Sequence, residues 1–206
     1  MAAGLIGRKL GMTRFFGDDG SVVPVSVIEA TPNSITRLRT PERDGYAALQ
    51  VGAGTAKRMS KPVAGQFKDL DKEHQRPRRV KEFRVESTDG FEAGQQLDVS
   101  LFAPGDLVDV TGTSKGHGFT GTIARYHFKR GPKTHGSTNI RLPGSIGAGT
   151  TPGRVYRGLP MAGHLGDARN TIKKLTVVRT DSERNLLLIK GSVPGARNAL
   201  LLVRKA

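Results

Sequence analysis

The sequence predicts a mainly β protein, a barrel or a sandwich, interrupted by one long stretch that has no secondary-structure period. Three observations lead there. Short runs rich in Val, Ile and Leu recur in both halves of the chain, set apart by Gly, Pro and Asp turn signals. Trp is absent and aromatic residues make up 5%, so aliphatic and β-branched side chains must build the core. Residues 115–166 carry 12 glycines, and their apolar residues follow neither the helical nor the strand spacing.

The elements follow in order. Asp18-Asp19-Gly20 is a hairpin turn, and "SVVPVSVIEA" (21–30) after it reads as a strand. "SITRLRT" (34–40) alternates, and "YAALQVGAG" (46–54) is β-compatible. In "SKPVAGQFKDLDKEHQRP" (60–77), Ser60 stands as N-cap with Pro62 near the first turn. The Phe67/Leu70 spacing then gives a short helical insert, which Pro77 ends. "VKEFRVE" (80–86) and "DLVDVTG" (106–112) are short strands. Beyond the aperiodic stretch come "TIKKLTVVRT" (171–180), "NLLLIKG" (185–191) and "ALLLVRK" (199–205). The expected organisation is a β domain of 1–114 plus 167–206, with 115–166 as an extended loop.

The chain has 206 residues, room for one sizeable domain or a domain with an appendage. Lys and Arg number 33 against 18 Asp and Glu, a formal charge of +15. Such an excess favours a polyanionic partner, because neutralising phosphates releases condensed counterions. The charge is uneven. No acid occurs from Val110 to Gly166, whereas 115–166 holds eight Lys/Arg and four of the five His. The remaining residues carry 25 Lys/Arg and 18 acids, a net of +7, so about half the net charge sits in a quarter of the chain. Cysteine is absent, which excludes a disulfide scaffold and thiolate metal sites and suits a reducing cytoplasm. The N-terminal "MAAGLIGRKLGMTRFF" lacks a signal-peptide core, and no apolar run approaches the ~20 residues of a membrane span. A membrane partner is not expected.

Gly116-His117-Gly118-Phe119-Thr120-Gly121 spells G-x-G-x-x-G after the strand-like run Leu107 to Val110. A dinucleotide site would add a helix and an acid about 20 residues on. Arg141 stands there instead, and "TIARYHFKRGP" is a poor helix that Gly131-Pro132 breaks. Plain turns are one explanation of Gly116, Gly118 and Gly121. Close backbone approach to RNA is the other, since a residue without Cβ can lie against phosphate and tolerates φ > 0. Lys115, Arg125, Lys129, Arg130 and Lys133 would supply charge, and Arg141, Ser145, Arg154 and Arg157 extend the same assignment.

The stretch resembles the signature of the bacterial large-ribosomal-subunit protein three (uL3) family. The signature places are filled by Phe102, Asp109, Gly112, Ser114, Gly116, His117, Gly118, Gly121 and Arg125 with matching spacing. "GLIGRKLGMTRFF", "HGSTNIRLPGSIGAGTTPGRVYRGLPMAGHLG" and "NLLLIKGSVPGARNALLLVRK" resemble the family's N-terminal strand, central extension and C-terminal strands. The resemblance implies a closed β-barrel of the translation-protein type with a long basic extension. It implies a structural constituent of the large (50S) subunit in the cytoplasm that binds 23S rRNA early in assembly. The extension would reach toward the peptidyl-transferase centre, beside neighbouring ribosomal proteins. No enzyme activity, cofactor or small-molecule substrate is expected. Some relatives carry a methylatable Gln where this chain has Thr150, so that modification does not carry over.

Other residues have two readings each. His117, His127 and His135 lack nearby carboxylates and His164 has only Asp167, so no metal is expected; they stack on bases, donate to phosphate or stand solvated in a loop. Arg8 and Lys9 either contact RNA or form the solvated face of an edge strand. Arg76, Arg78 and Arg79 form a charge run that in so basic a chain favours phosphate. Tyr126, Phe128 and Tyr156 are candidates for stacking. Asp18, Asp19 and Ser182 form no triad. An enzyme using the glycine loop for NADP or a phosphorylated substrate, and a free-standing RNA chaperone, are the rival functions.

Overall fold

The computed structural model describes residues 3–17, 20–68, 70 and 76–206. By its internal contacts the chain divides into two units, Met1–Ser114 with Arg169–Ala206, and Lys115–Ala168. The first is mainly β, as expected. Its strands are β1 (Gly4–Phe16), β2 (Val22–Glu29), β3 (Asn33–Arg39), β4 (Ala48–Thr55), β5 (Pro77–Arg84), β6 (Gln96–Leu97) and β7 (Leu107–Thr113). In the second unit lie β8 (Gly118–Thr120) and β9 (Gly163–Leu165). The first unit is completed by β10 (Arg169–Asp181), β11 (Leu186–Lys190) and β12 (Leu200–Lys205).

Six strands pair in a closed ring, in the order β1-β12-β7-β10-β11-β2 and back to β1, every pair antiparallel. Closure removes the sheet edges that would otherwise invite aggregation. The sequence explains the inside of the ring. In β12 the alternation buries Leu201 and Val203, in β11 Leu187 and Ile189, in β7 Val108 and Val110, and in β1 Leu5. Full burial of such side chains contributes about 1.5–3 kcal/mol each. Leu201→Ala would therefore cost roughly 2–5 kcal/mol through lost transfer energy and the cavity left behind.

A second sheet, β5-β4-β3-β6, packs on the ring. For that reason β1 and β7 are buried on both faces over part of their length. Gly4 makes the fit: a Cβ there would collide with the Phe83 ring and stand 2.7 Å from the Val203 carbonyl oxygen. Asn33 pins the two sheets together. Its fully buried amide accepts from the Ile6 N–H at 3.0 Å and donates to the Ile6 carbonyl at 3.2 Å, completing a backbone-like pair.

Asp109, one of the signature residues, has a structural task. Its Oδ1 accepts the Lys174 N–H at 3.0 Å, and its Oδ2 accepts from the Arg204 guanidinium at 3.1 Å. Lys174 has φ +54 and lies within a register shift between Ile172 and Leu175. The carboxylate of β7 therefore clamps a bulge in β10 and a side chain of β12 at once.

Three helices are short: α1 (Pro41–Asp44), α2 (Lys61–Gly65) and α3 (Thr122–Tyr126), with a 3-10 turn at Val99–Leu101. Ser60 occupies the N-cap position of α2, but its hydroxyl makes no capping hydrogen bond. Pro77 opens β5, an edge strand whose first residue needs no ladder donor. Phe67 and Leu70 are buried beyond the end of α2. Asp18 and Asp19 of the expected turn, and residues 69 and 71–75 of the expected insert, lie outside the described residues. Among the described residues, no helix is long and apolar enough to cross a membrane.

Candidate nucleic-acid interface

The unit Lys115–Ala168 has no apolar core. Among its described residues only Thr122 is buried, and all the buried apolar side chains of the chain belong to the other unit. A short hairpin organises its two ends. β8 and β9 pair Gly118 with Leu165, Phe119 with His164 and Thr120 with Gly163. The His117 N–H adds a bond to the Leu165 carbonyl at 2.8 Å. Gly166 permits the crossing: its φ is +75, and a Cβ there would overlap the Lys115 carbonyl oxygen.

Directly after β8, Gly121 caps α3, and its carbonyl accepts the Arg125 N–H at 3.0 Å. The poor helix expected in "TIARYHFKRGP" is confined to "TIARY"; it lasts five residues and stops at His127 in the left-handed conformation, before Gly131-Pro132. The glycines of G-x-G-x-x-G accordingly serve a hairpin and a cap. A dinucleotide site needs parallel strands joined by a full helix, whereas β8 pairs antiparallel with β9. Arg125 is half-buried, donates to the Met161 carbonyl at 2.7 Å and lies over the Tyr126 ring at 5.0 Å. It tethers the unit as much as it charges it.

The remaining cations face outward. Lys115, Lys129, Arg130, Lys133, Arg141, Arg154 and Arg157 are exposed, as are His117, His135, His164 and Ser145. Among the described residues, none of the eight Lys and Arg of this unit makes an ion pair. Like charges without counterions repel, and a chain of phosphates relieves that repulsion. Aromatic groups lie between the charges. Tyr126 and Phe128 have ring centroids 6.4 Å apart, and Arg154 lies 5.5 Å from the Tyr156 centroid. Phe119, 81% exposed, stands opposite His164 across the hairpin. Directly opposed residues project on one face of a strand pair, so two flat rings are presented where an unstacked base could lie. Sequence reasoning had left Phe119 among scattered apolar residues; an aromatic between glycines in an acid-free stretch was the signal available.

In the first unit the candidates divide. Arg8 is exposed but bonded to Glu29 at 2.6 Å. It shares a cleft of about 540 Å³ with Arg78 and Arg79, so residues from β1 and β5 meet there. Arg76 is exposed just before β5. Lys9 departs from both of its expected roles. It is 9% exposed, and its ammonium donates to the Val193 carbonyl at 2.8 Å and the Gly195 carbonyl at 3.1 Å. The cause is the alternation of the strand: Lys9 lies on the same face of β1 as Leu5 and Gly7, opposite to Arg8, and so points inward under the β11–β12 connection. Among the described residues, no group of three or more His, Asp or Glu could hold a metal ion.

A family model described as ribosomal protein L3 matches residues 80–185. Proteins named large ribosomal subunit protein uL3 align over the whole chain. That of Synechococcus sp. (strain RCC307) is 52% identical over 208 residues, covering 100% of this chain and 96% of the relative. That of Alkalilimnicola ehrlichii is 52% identical over 213 residues, covering 100% and 96%. The Saccharophagus degradans protein is 54% identical over 209 residues, covering 100% and 97%. The matched residues include the acid-free run, the β8–β9 hairpin and the Asp109 clamp, and with identity of this extent the chain belongs to the ribosomal protein L3 family.

Proposed function

We propose that this chain is a structural constituent of the large ribosomal subunit in the cytoplasm and that it binds 23S rRNA directly. The family is one of structural proteins, not enzymes. The observation that carries the reading is the run from Val110 to Gly166, which has no acid and, from Lys115 on, a single buried residue. A segment without apolar burial gains little on ordering by itself; contact with phosphate and stacking on bases supply what its own packing lacks. In this reading the ring of six strands is a barrel of the translation-protein type that folds alone. The 115–166 segment is the rRNA-contacting extension, directed toward the peptidyl-transferase centre after early binding in 50S assembly. Neighbouring large-subunit proteins are the other partners.

Binding of the full chain to large-subunit rRNA, measured at several salt concentrations, tests this. The expected result is an affinity that falls steeply with salt, with each phosphate contact contributing about 0.7–0.9 to the log–log slope. Changing Lys129, Arg130 and Lys133 to Ala should flatten the slope while leaving the thermal melt of the free protein in place. An affinity indifferent to salt, or a chain that does not sediment with the large subunit, would refute the proposal.

A further inference from the structure

We infer that the cleft between β5 and the outer face of β7, β10 and β12 is a separate binding site for RNA backbone phosphate, outside the 115–166 segment; the inference rests on the rRNA reading above. The cleft measures about 320 Å³ and lies wholly within the first unit. Arg84 from β5, Arg169 from the start of β10 and Arg204 from β12 converge on it, with Thr111 and Thr171 on its floor.

The charges around it do not cancel. Glu82, the one acid in the lining, is engaged elsewhere: it accepts from Arg39 at 3.2 Å and from the Tyr46 hydroxyl at 2.8 Å. Asp109 neutralises only Arg204, at 3.1 Å. Arg84 rests over the Tyr46 ring at 5.2 Å, a contact that orients a guanidinium and leaves its charge in place. Arg169 is exposed and, among the described residues, has no ion-pair partner. Two uncompensated guanidinium groups therefore face one recess. The floor adds hydroxyl donors: Thr111 and Thr171 share one hydrogen bond at 2.8 Å, which uses one of their two hydroxyl hydrogens. Fork-shaped donors with a hydroxyl between them match the oxygens of a phosphodiester.

The larger cleft with Arg8, Arg78 and Arg79 makes a weaker case, because Glu29 within it already holds Arg8. The sequence hid the Arg84 cleft, since its three arginines are spread over 120 residues of chain and only strand pairing assembles them.

The test uses the full chain and large-subunit rRNA, with affinity measured across salt for the double variant Arg84→Gln/Arg169→Gln. Arg204 is left intact because it serves Asp109. The log–log slope should fall by about 1.4–1.8, two phosphate contacts' worth, and the double variant with Lys at both positions should recover most of it. The thermal melt should stay within a degree or two of the parent, both residues being exposed. An unchanged slope overturns the inference, and so does a variant that loses a protein partner while keeping its RNA affinity. The Lys129/Arg130/Lys133→Ala chain runs in parallel. If that chain shifts the slope and the cleft variant does not, the cleft alone fails; if neither shifts it, the rRNA reading fails with it.

Discussion

Replacing Lys9 by methionine keeps the length and apolar stem of the side chain and removes the ammonium. In the structure that ammonium donates to two carbonyls of the β11–β12 connection, at 2.8 Å from Val193 and 3.1 Å from Gly195. Hydrogen bonds from a charged donor contribute about 1.5–3 kcal/mol each, and removing the donor leaves both buried oxygens short of a partner. Relief from burying the charge works in the other direction, by a few kcal/mol for a group so little exposed. The difference comes to a loss of about 2–3 kcal/mol. For a unit of about 150 residues, 1 kcal/mol moves Tm by about 2–4 °C, so the melt should shift down by about 4–12 °C. The assay is a thermal melt of the RNA-free protein beside rRNA affinity at two salt concentrations. A lowered Tm with an unchanged salt slope is expected. An unchanged Tm with the slope reduced by about 0.7–0.9 would show that Lys9 contacts phosphate, and the buried geometry would be wrong.

Asp109→Asn should destabilise the first unit by about 1–2 kcal/mol in urea, losing the charged partner of Arg204 while keeping an acceptor for Lys174; Asp109→Ala should cost more, about 3 kcal/mol, because the Lys174 N–H loses its acceptor too. Asp106 predicts part of the acid limb of stability. The Lys205 ammonium, then the Ala103 N–H, hold its carboxyl below the ordinary value of 3.8. Its contribution is therefore fully present above about pH 4 and lost as pH falls through the lowered folded-state value. Asp106→Asn should lower Tm at pH 7, and the gap to the parent should shrink as pH falls below the ordinary value and through the lowered one; a gap that does not shrink in acid would refute the assignment. In the free protein, amides of 120–160 should exchange far faster than those of β7, β11 and β12, since burial there is confined to Thr122; strong protection throughout would contradict the reading.

Much of the fold can be read in the chain because strands announce themselves locally. "NLLLIKG" and "ALLLVRK" are short unbroken apolar runs bounded by turn and charged residues, and β11 and β12 fall inside them. The aperiodic, acid-free interval is equally local, a matter of counting residues. The helical insert was harder. Pro77 can punctuate a helix end or an edge-strand start, and the strand start shows only in the pairing of β5 with β4. The extent of α3 could not be read because five residues are too few to display a helical period. Arg8 and Lys9 were indistinguishable as neighbouring cations, yet they differ completely in surroundings.

By itself the sequence determined the β class, the excess of positive charge and the acid-free interval that holds about half of it, because composition and short-range spacing are summed along the chain and need no third dimension. Only the tertiary structure decided which cations are available. Alternate residues of a strand point to opposite faces, and a one-residue register shift exchanges them. Closure of the ring turned the face of β1 that carries Lys9 inward onto carbonyl oxygens and left Arg8 outside, while the pairing of β7 with β10 and β12 gathered Arg169 and Arg204 around a cleft that no linear spacing could show.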